Sequence, residues 1–180
     1  MSVPRVLTLD QSISNTGWAL VGGSRGWAAQ TGAWPLGDGA GPDKRPAAFI
    51  ALQRNIQRIH AEEPLEAIGY ETPIWKPGDK VDKMVALYGL VSQIEVWAHS
   101  RRVPFFSISQ SDWRETFLGA ARKGTDAEQK KRLAVERARQ FGFDPKSDDE
   151  AEATGILDHL LHVLGHVPKW REDHPFQLML

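Results

Sequence analysis

The sequence predicts an α/β fold with a mixed five-stranded sheet flanked by helices. Three segments of strand length and composition, at 5–10, 16–23 and 26–34, precede the first helical pattern. Beyond them, segments with apolar residues every three to four positions alternate with two more strand-like segments. An antiparallel trio that leads into alternating helices and strands is typical of a mixed sheet with helices packed on its faces.

Each element follows from a local pattern. The first strand, 5–10, shows little alternation of polar and apolar residues, which indicates a central, buried position. The second and third strands are expected to pair around a tight turn at residues 22–24. The remaining strands are predicted at 65–71 and 103–109. Helices are predicted over 47–60, 81–99, 111–118, 126–141 and 149–165.

Two finer expectations concern individual side chains. Trp18, Trp27 and Trp34 are expected on strands, in the core or on a sheet face. Ser111 or Asp112 is expected to cap the short third helix, since both residue types accept hydrogen bonds from free backbone N–H groups.

The composition is that of one globular domain. A chain of 180 residues is long enough for one domain with a sizeable core, so we expect a single domain over 1–180 with a C-terminal tail at 166–180. The absence of cysteine excludes disulfides and cysteine-bound zinc, and it agrees with a reducing compartment. The sequence has neither a signal-peptide pattern nor a stretch of about 18 apolar residues, so we expect a soluble cytoplasmic protein without a membrane partner.

Charge is distributed unevenly along the chain. The formal net charge is −1, but residues 101–146 carry eleven Lys/Arg and six Asp/Glu, which is +5, so the remainder carries −6. Such segregation is expected of a basic surface beside an acidic site, as in proteins that bind nucleic acid.

Carboxylates occur at positions where the predicted fold can bring them together. Asp10 ends the first strand and Glu71 ends the fourth. Asp149 and Glu152 are three residues apart at the start of the last helix, so they share one face of it. Neighbouring parallel strands would place Asp10 and Glu71 at one sheet edge, opposite such a helix.

A cluster of four carboxylates is stable only with a cation, because like charges repel strongly at short range. All-oxygen ligands select hard ions, so the candidate is Mg²⁺, with Mn²⁺ as a substitute, and two ions could share the site. Each position also has a simpler explanation, since acidic residues form turns and favour helix N-termini. Asp148 competes with Asp149 for the ligand role because it is four residues from Glu152.

Taken together, the motifs resemble those of RuvC-family Holliday-junction resolvases, particularly the compact RuvC-like endonucleases of phages, in the ribonuclease H-like superfamily. The resemblance rests on "LDQSISNTGWAL", "AIGYETP" and "DEAEATGILDHLL", in that order, over residues 5–165. It implies an RNase H-like fold and a metal-binding catalytic quartet of Asp10, Glu71, Asp149 and Glu152. It also implies hydrolysis of DNA phosphodiesters to 5′-phosphate ends, in a bacterium or a phage-infected host cell.

The sequence departs from the family pattern at two places. Gln11-Ser12 follows the first aspartate where Pro-Gly is frequent, so the geometry of that loop is the first feature to compare with the family. Glu152 stands where aspartate is more frequent, and its extra methylene moves the carboxylate by more than about 1 Å, which can change the metal geometry.

The resemblance also implies DNA contacts and a homodimer. Arg114 and Lys130 align best with family residues that contact phosphates of the junction arms, and Lys131 aligns nearly as well. Trp75 aligns with an aromatic that stacks on a base at the junction core. Alternatively, the basic residues belong to a solvated helix face and Trp75 covers the sheet edge. A family helix equivalent to 81–99 builds a homodimer, so branched DNA and a second copy of the chain are the expected partners.

Other functions remain open. A nuclease with broad flap or debranching activity in phage DNA replication or packaging would use the same residues. A non-catalytic junction-binding protein is also possible, although it would gain nothing from four clustered carboxylates. Sugar kinases and actin-like ATPases share the strand-Asp motif, but they need a Gly-rich phosphate loop and a second domain.

Overall fold

The computed structural model describes residues 3–119 and 125–173. Its sheet has five strands in the order β3-β2-β1-β4-β5. The strands are β1 (Val6–Asp10), β2 (Thr16–Val21), β3 (Gln30–Trp34), β4 (Ala67–Glu71) and β5 (Phe105–Ile108). The first three strands are antiparallel neighbours, whereas β4 pairs in parallel with β1 and with β5. The mixed five-stranded sheet is therefore confirmed.

Helices cover both faces of this sheet. They are α1 (Arg45–Glu62), α2 (Val81–Arg101), α3 (Gln110–Leu118), α4 (Ala127–Gln140), α5 (Asp148–Val163) and α6 (Lys169–Glu172). Leu7 and Leu9 of β1 pack in a core with α1 and α2, while Val6 packs in a second core with α3, α4 and α5. The first strand lacks polar alternation because both of its faces are buried, as its pattern predicted.

Helix α5 lies directly on the middle of the sheet. The hydroxyl of Thr8, which is fully buried, donates a hydrogen bond to the carbonyl of Ala153 at 2.8 Å and ties β1 to α5. Gly17 of β2 allows the start of α5 to approach closely, since a Cβ at this position would lie 2.1 Å from the carbonyl oxygen of Asp149. These contacts determine how far the N-terminus of α5 stands from the carboxyl end of β1.

The connection between β2 and β3 is longer than predicted. Gly22, Gly23 and Gly26 all have positive φ angles, of 95°, 63° and 56°, and a short 3₁₀ turn spans Gly23–Arg25. The third strand consequently begins at Gln30. The prediction that Trp27 lies on a strand is wrong: it precedes β3 and packs edge-on against Trp170, with ring centroids 5.8 Å apart.

Helix α3 begins earlier than its sequence suggested. Its N-cap is Ser109, whose hydroxyl accepts a hydrogen bond from the backbone N–H of Asp112 at 3.2 Å. The prediction of Ser111 or Asp112 as the cap is therefore wrong, because the helix starts at Gln110 and leaves both of them in its first turn.

The predicted C-terminal tail contains a docked helix. Trp170 of α6 is buried, and its indole Nε1–H donates a hydrogen bond to Oδ1 of Asp158 at 2.9 Å. Arg171 adds an ion pair to the same carboxylate. Positions 174–180 of the tail lie outside the described residues. Over the described ranges, none of the helices combines the length and the apolar character needed to cross a membrane.

Candidate functional site

Asp10 and Glu71 lie at the same edge of the sheet. The parallel pairing of β1 with β4 runs to Leu9 opposite Tyr70, and the two carboxylates occupy the next position on each strand. The side-chain amide of Gln11 donates a hydrogen bond to the backbone carbonyl of Glu71 and joins the two strand ends. The structure therefore places this pair as the sequence predicted.

The N-terminus of α5 supplies Asp149 and Glu152 to the same region. Ser147 caps the helix by accepting a hydrogen bond from the N–H of Glu150 at 3.3 Å. Asn15, in the loop after β1, donates from Nδ2 to Oδ2 of Asp149 at 2.8 Å. The loop that follows Asp10 therefore contacts the start of α5 directly.

Electrostatic interactions show that the four carboxylates share one environment. The pKa of Asp10 is raised well above its ordinary value, first by burial and then by the negative charges of Glu152, Glu71 and Asp149. The positive charge of Lys131 lowers the pKa of Asp10 and partly opposes these effects. The cluster thus disfavours ionised Asp10 as long as no cation is bound.

Helix α3 holds Glu71 from one side. The fully buried Trp113 donates its indole N–H to Oε2 of Glu71 at 2.7 Å, and the amide of Gln110 donates to Oε1 at 3.0 Å. Burial raises the pKa of Glu71, while the hydrogen bond from Trp113 lowers it. Both oxygens of this carboxylate are therefore oriented before any ligand binds.

Two cations pair with the acidic residues of α5. Nη2 of Arg114 lies 2.7 Å from Oε1 of Glu152, and both side chains are largely buried. Lys131 forms an ion pair with Asp148, which lowers the pKa of that carboxyl. Asp149, in contrast, accepts a hydrogen bond from the neutral amide of Asn15, and its negative charge raises the pKa of Asp10.

The chemistry of the donors fits a hard cation. The cluster offers only oxygen ligands, and Oε1 of the buried Gln11 has no hydrogen-bond partner among the described residues. However, within residues 3–119 and 125–173 no group of three or more His, Asp or Glu side chains is arranged to hold a metal ion as it stands. Glu71, Asp149 and Glu152 each accept a hydrogen bond from a different neighbour, and these bonds leave further oxygen lone pairs available to a cation.

Two cavities flank Asp10 and give access to the cluster. One, of about 160 Å³, is lined by Asp10, Glu71 and the loop after β4; the other, of about 450 Å³, extends past Asp149 to residues 38–40. Gln11 and Lys83 border both cavities. Asp10, Glu71 and Asp149 therefore border open space, whereas Glu152 lines neither of these two cavities.

The residues expected to contact DNA have different surroundings. Trp75 is 54% exposed, on the loop between β4 and α2 that also borders the smaller cavity. Lys130 and Lys131 are partly exposed in the first turns of α4, and Lys131 contacts the acidic start of α5. Arg114 instead points into the carboxylate cluster.

Sequence reasoning missed three residues that orient the carboxylates, Asn15, Gln110 and Trp113, and also the hydrogen bond from Gln11 to the backbone carbonyl of Glu71. Gln11 had a sequence signal, because it replaces a residue that is frequent in the resembled family. Asn15 had a weaker sequence signal, namely its position between two motif residues. Gln110 and Trp113 had no signal, since their partner Glu71 is 39 and 42 residues away in the chain.

Comparisons with known proteins give similarity at the level of structure. No family model and no curated protein matches the sequence. Thermus thermophilus RuvC in complex with a Holliday junction substrate is similar with a TM-score of 0.66 and 14% sequence identity, over 90% of this chain and 96% of that chain. A second T. thermophilus RuvC structure gives 0.60 and 15%, over 89% and 96% of the two chains.

The yeast mitochondrial Holliday junction resolvase Ydc2 is also similar, with a TM-score of 0.57 and 14% identity over 96% of this chain and 85% of that chain. At such low identities the similarity concerns the fold. The chain therefore has the RuvC-like, RNase H-like fold that its motifs predicted.

Proposed function

We propose that the protein is a Mg²⁺-dependent endonuclease that cuts Holliday junctions and related branched DNA, leaving 5′-phosphate ends. The observation that carries this proposal is the meeting of Glu71, Asp149 and Glu152 around Asp10 at the carboxyl edge of a RuvC-like sheet. Three carboxylates that raise the pKa of a fourth, Asp10, form an unfavourable arrangement unless the cluster binds a cation.

Asp10, Glu71, Asp149 and Glu152 are the proposed ligands of one or two Mg²⁺ ions, which Mn²⁺ can replace. When bound, such ions lower the pKa of a water and stabilise the charge that develops on the phosphate. The chain itself orients the ligands: Trp113 and Gln110 fix Glu71, and Asn15 fixes Asp149.

DNA is proposed to approach along the side where Trp75 and α4 lie. Lys130 and Lys131 would contact phosphates next to the acidic site, and Trp75 is sufficiently exposed to stack on an unpaired base. The similarity to a RuvC that was captured with a Holliday junction substrate supports this choice of substrate class.

A homodimer is proposed to form through α2. Val81, Val85, Tyr88 and Val96 recur along this helix and are 48–66% exposed. An apolar stripe of this kind on an otherwise polar surface is typical of a protein interface. A two-fold dimer would carry two active sites, one for each of two opposed strands of a junction. The proposed setting is the cytoplasm of a bacterium or of a phage-infected host cell.

The test is a cleavage assay with labelled four-way, flap and linear DNA in Mg²⁺, Mn²⁺ or EDTA. The wild type should cut the four-way junction with either ion and not in EDTA, while Asp10→Asn should bind the junction without cutting it. Equal cutting of flaps would instead identify a broad debranching nuclease. Binding without cleavage would identify a non-catalytic junction-binding protein, and wild-type cleavage by Asp10→Asn would disprove the assigned site.

A further inference from the structure

One side chain in the carboxylate cluster does not have the surroundings of a DNA contact. Arg114 is only 17% exposed, and its Nη2 bonds to Oε1 of Glu152 at 2.7 Å. Its guanidinium carbon lies 5.0 Å from the centroid of the Trp113 ring, within the range of a cation–π contact. The arginine is therefore held by a carboxylate on one side and an aromatic ring on the other.

The bonding of Arg114 is also incomplete. Its Nε is buried without a hydrogen-bond partner within the described part of the chain. An Arg–carboxylate pair of the strongest kind is bidentate, with two parallel N–H···O bonds, whereas the structure shows one bond to Glu152. This geometry suits a contact that forms and opens rather than a permanent structural pair.

We infer that Arg114 is the internal counter-cation of Glu152 and that a divalent ion that coordinates Oε1 of this carboxylate displaces the guanidinium from it. The inference rests on the proposed metal-dependent function. Removal of the guanidinium would leave Glu152, which is 8% exposed, with an unneutralised charge in a nearly buried position. The site therefore exchanges one cation for another, and Arg114 lowers the affinity of the free protein for metal.

The test measures Mn²⁺ binding to the DNA-free protein by isothermal titration calorimetry, in the wild type, Arg114→Met and Lys131→Met. Arg114→Met should bind Mn²⁺ at least about 10-fold more tightly, because hydrogen bonds to charged groups are worth enough to shift an equilibrium by that factor. Lys131→Met removes a neighbouring charge that pairs with Asp148, so its gain should be clearly smaller. Equal gains in Mn²⁺ affinity in both variants would show that affinity depends only on the overall charge near the site, and this result would overturn the inference. No gain in Arg114→Met would overturn it as well.

Thermal unfolding provides a second readout. In EDTA, Arg114→Met should lower the melting temperature, and saturating Mn²⁺ should remove most of the difference, because the wild type loses the Arg114–Glu152 pair when metal binds. If Arg114 were purely structural, its replacement would lower the melting temperature by the same amount in EDTA and in Mn²⁺. Should Arg114→Met fail to fold, NMR of the wild type decides: Mg²⁺ should release the slowly exchanging guanidinium protons of Arg114, and their persistence would overturn the inference.

These results separate this inference from the proposed function. If the wild type cuts junctions with Mg²⁺ but Arg114→Met binds Mn²⁺ no more tightly, only the role of Arg114 is wrong. If the wild type neither cuts DNA nor binds Mn²⁺, both are wrong.

Discussion

Asp10 links the stability of the metal-free protein to pH. Its pKa in the folded protein is raised above the ordinary value of 3.8 by burial and by three neighbouring carboxylates. A group whose pKa is higher in the folded than in the unfolded state favours folding most below its unfolded pKa. That contribution is lost as the pH rises through the folded pKa. At a pH well above 3.8 and without metal, Asp10 therefore destabilises the fold.

We accordingly expect Asp10→Asn to be more stable than the wild type in EDTA at neutral pH, since the amide removes the charge. The difference should shrink as the pH falls toward 3.8 and Asp10 becomes protonated in both states. Thermal unfolding over a pH series would measure it. Asp144→Asn is the control, because Lys146 lowers the pKa of Asp144 and its replacement should bring no gain. Lower stability of Asp10→Asn at neutral pH would contradict the prediction.

Trp113 is a positioning residue whose effect should be visible in metal binding. Trp113→Phe removes the N–H that bonds to Glu71, which should raise the pKa of Glu71 and move the pH midpoint of Mn²⁺ binding upward. Loss of a hydrogen bond to a charged group should also cost about 1.5–3 kcal/mol of unfolding free energy.

Trp170→Phe is the matched control for Trp113→Phe. It removes an indole hydrogen bond to Asp158, away from the carboxylate cluster, so it should reduce stability and leave the midpoint of metal binding unchanged. An unchanged midpoint in Trp113→Phe as well would reduce Trp113 to a packing residue.

At the scale of elements, α4 presents a basic end next to the acidic start of α5. Replacement of Lys130 and Lys131 by Ala should weaken junction binding and flatten its salt dependence. Each lost phosphate contact reduces the slope of log K against log salt by about 0.9. Fluorescence anisotropy at several salt concentrations would measure this. Arg139→Ala, an exposed change at the other end of α4, should alter the slope little, and an unchanged slope in the double variant would exclude this DNA path.

The apolar stripe of α2 makes the dimer testable. Val85→Glu and Tyr88→Glu place a negative charge in the middle of the stripe, where a two-fold interface would bring it close to its symmetry mate. Both variants should be monomeric by analytical ultracentrifugation. Val163→Glu, an equally exposed valine on α5, should not change the oligomeric state. A monomeric wild type would contradict the proposed dimer.

Over the whole molecule, the Asp158–Arg171 pair ties the C-terminal segment to the RuvC-like fold. Asp158 is fully buried, Arg171 also donates to the carbonyl of Thr116 on α3 at 2.7 Å, and the pair therefore links α3, α5 and α6. Asp158→Ala should cost about 3–5 kcal/mol of unfolding free energy, because it leaves a nearly buried arginine without its partner. Urea denaturation would measure the loss. Disruption of the exposed Asp144–Lys146 pair should cost nothing measurable, and a similarly small effect of Asp158→Ala would contradict this role.

The sequence predicted much of the architecture because its signals are local. A strand buried on both faces, such as β1, shows little alternation of polar and apolar residues, and acidic residues at two strand ends and one helix start indicate the cluster. The wrong predictions for Trp27 and for the cap of α3 concern boundaries, where glycines with positive φ and a serine one turn earlier determine the outcome.

The partners of the carboxylates could not be predicted in the same way. Arg114 is 38 residues from Glu152, and whether it faces this residue or solvent depends on how α3 packs against α5. No periodicity within α3 contains that information, so only the resemblance predicts a role for Arg114, as a DNA contact.

Gly17 illustrates how function can depend on a residue without reactive atoms. It pairs with Asp10 across β1 and β2, and any side chain there would collide with the backbone of Asp149. A mutational scan that scores only loss of cleavage would rank Gly17 beside the four carboxylates. A scan that also measures protein abundance would distinguish two outcomes for Gly17→Ala. If α5 only shifts, the variant should be abundant but inactive; if α5 detaches from the sheet, the abundance of the variant should fall. A single methyl group at position 17 would therefore separate the start of α5 from the strand ends that carry Asp10 and Glu71.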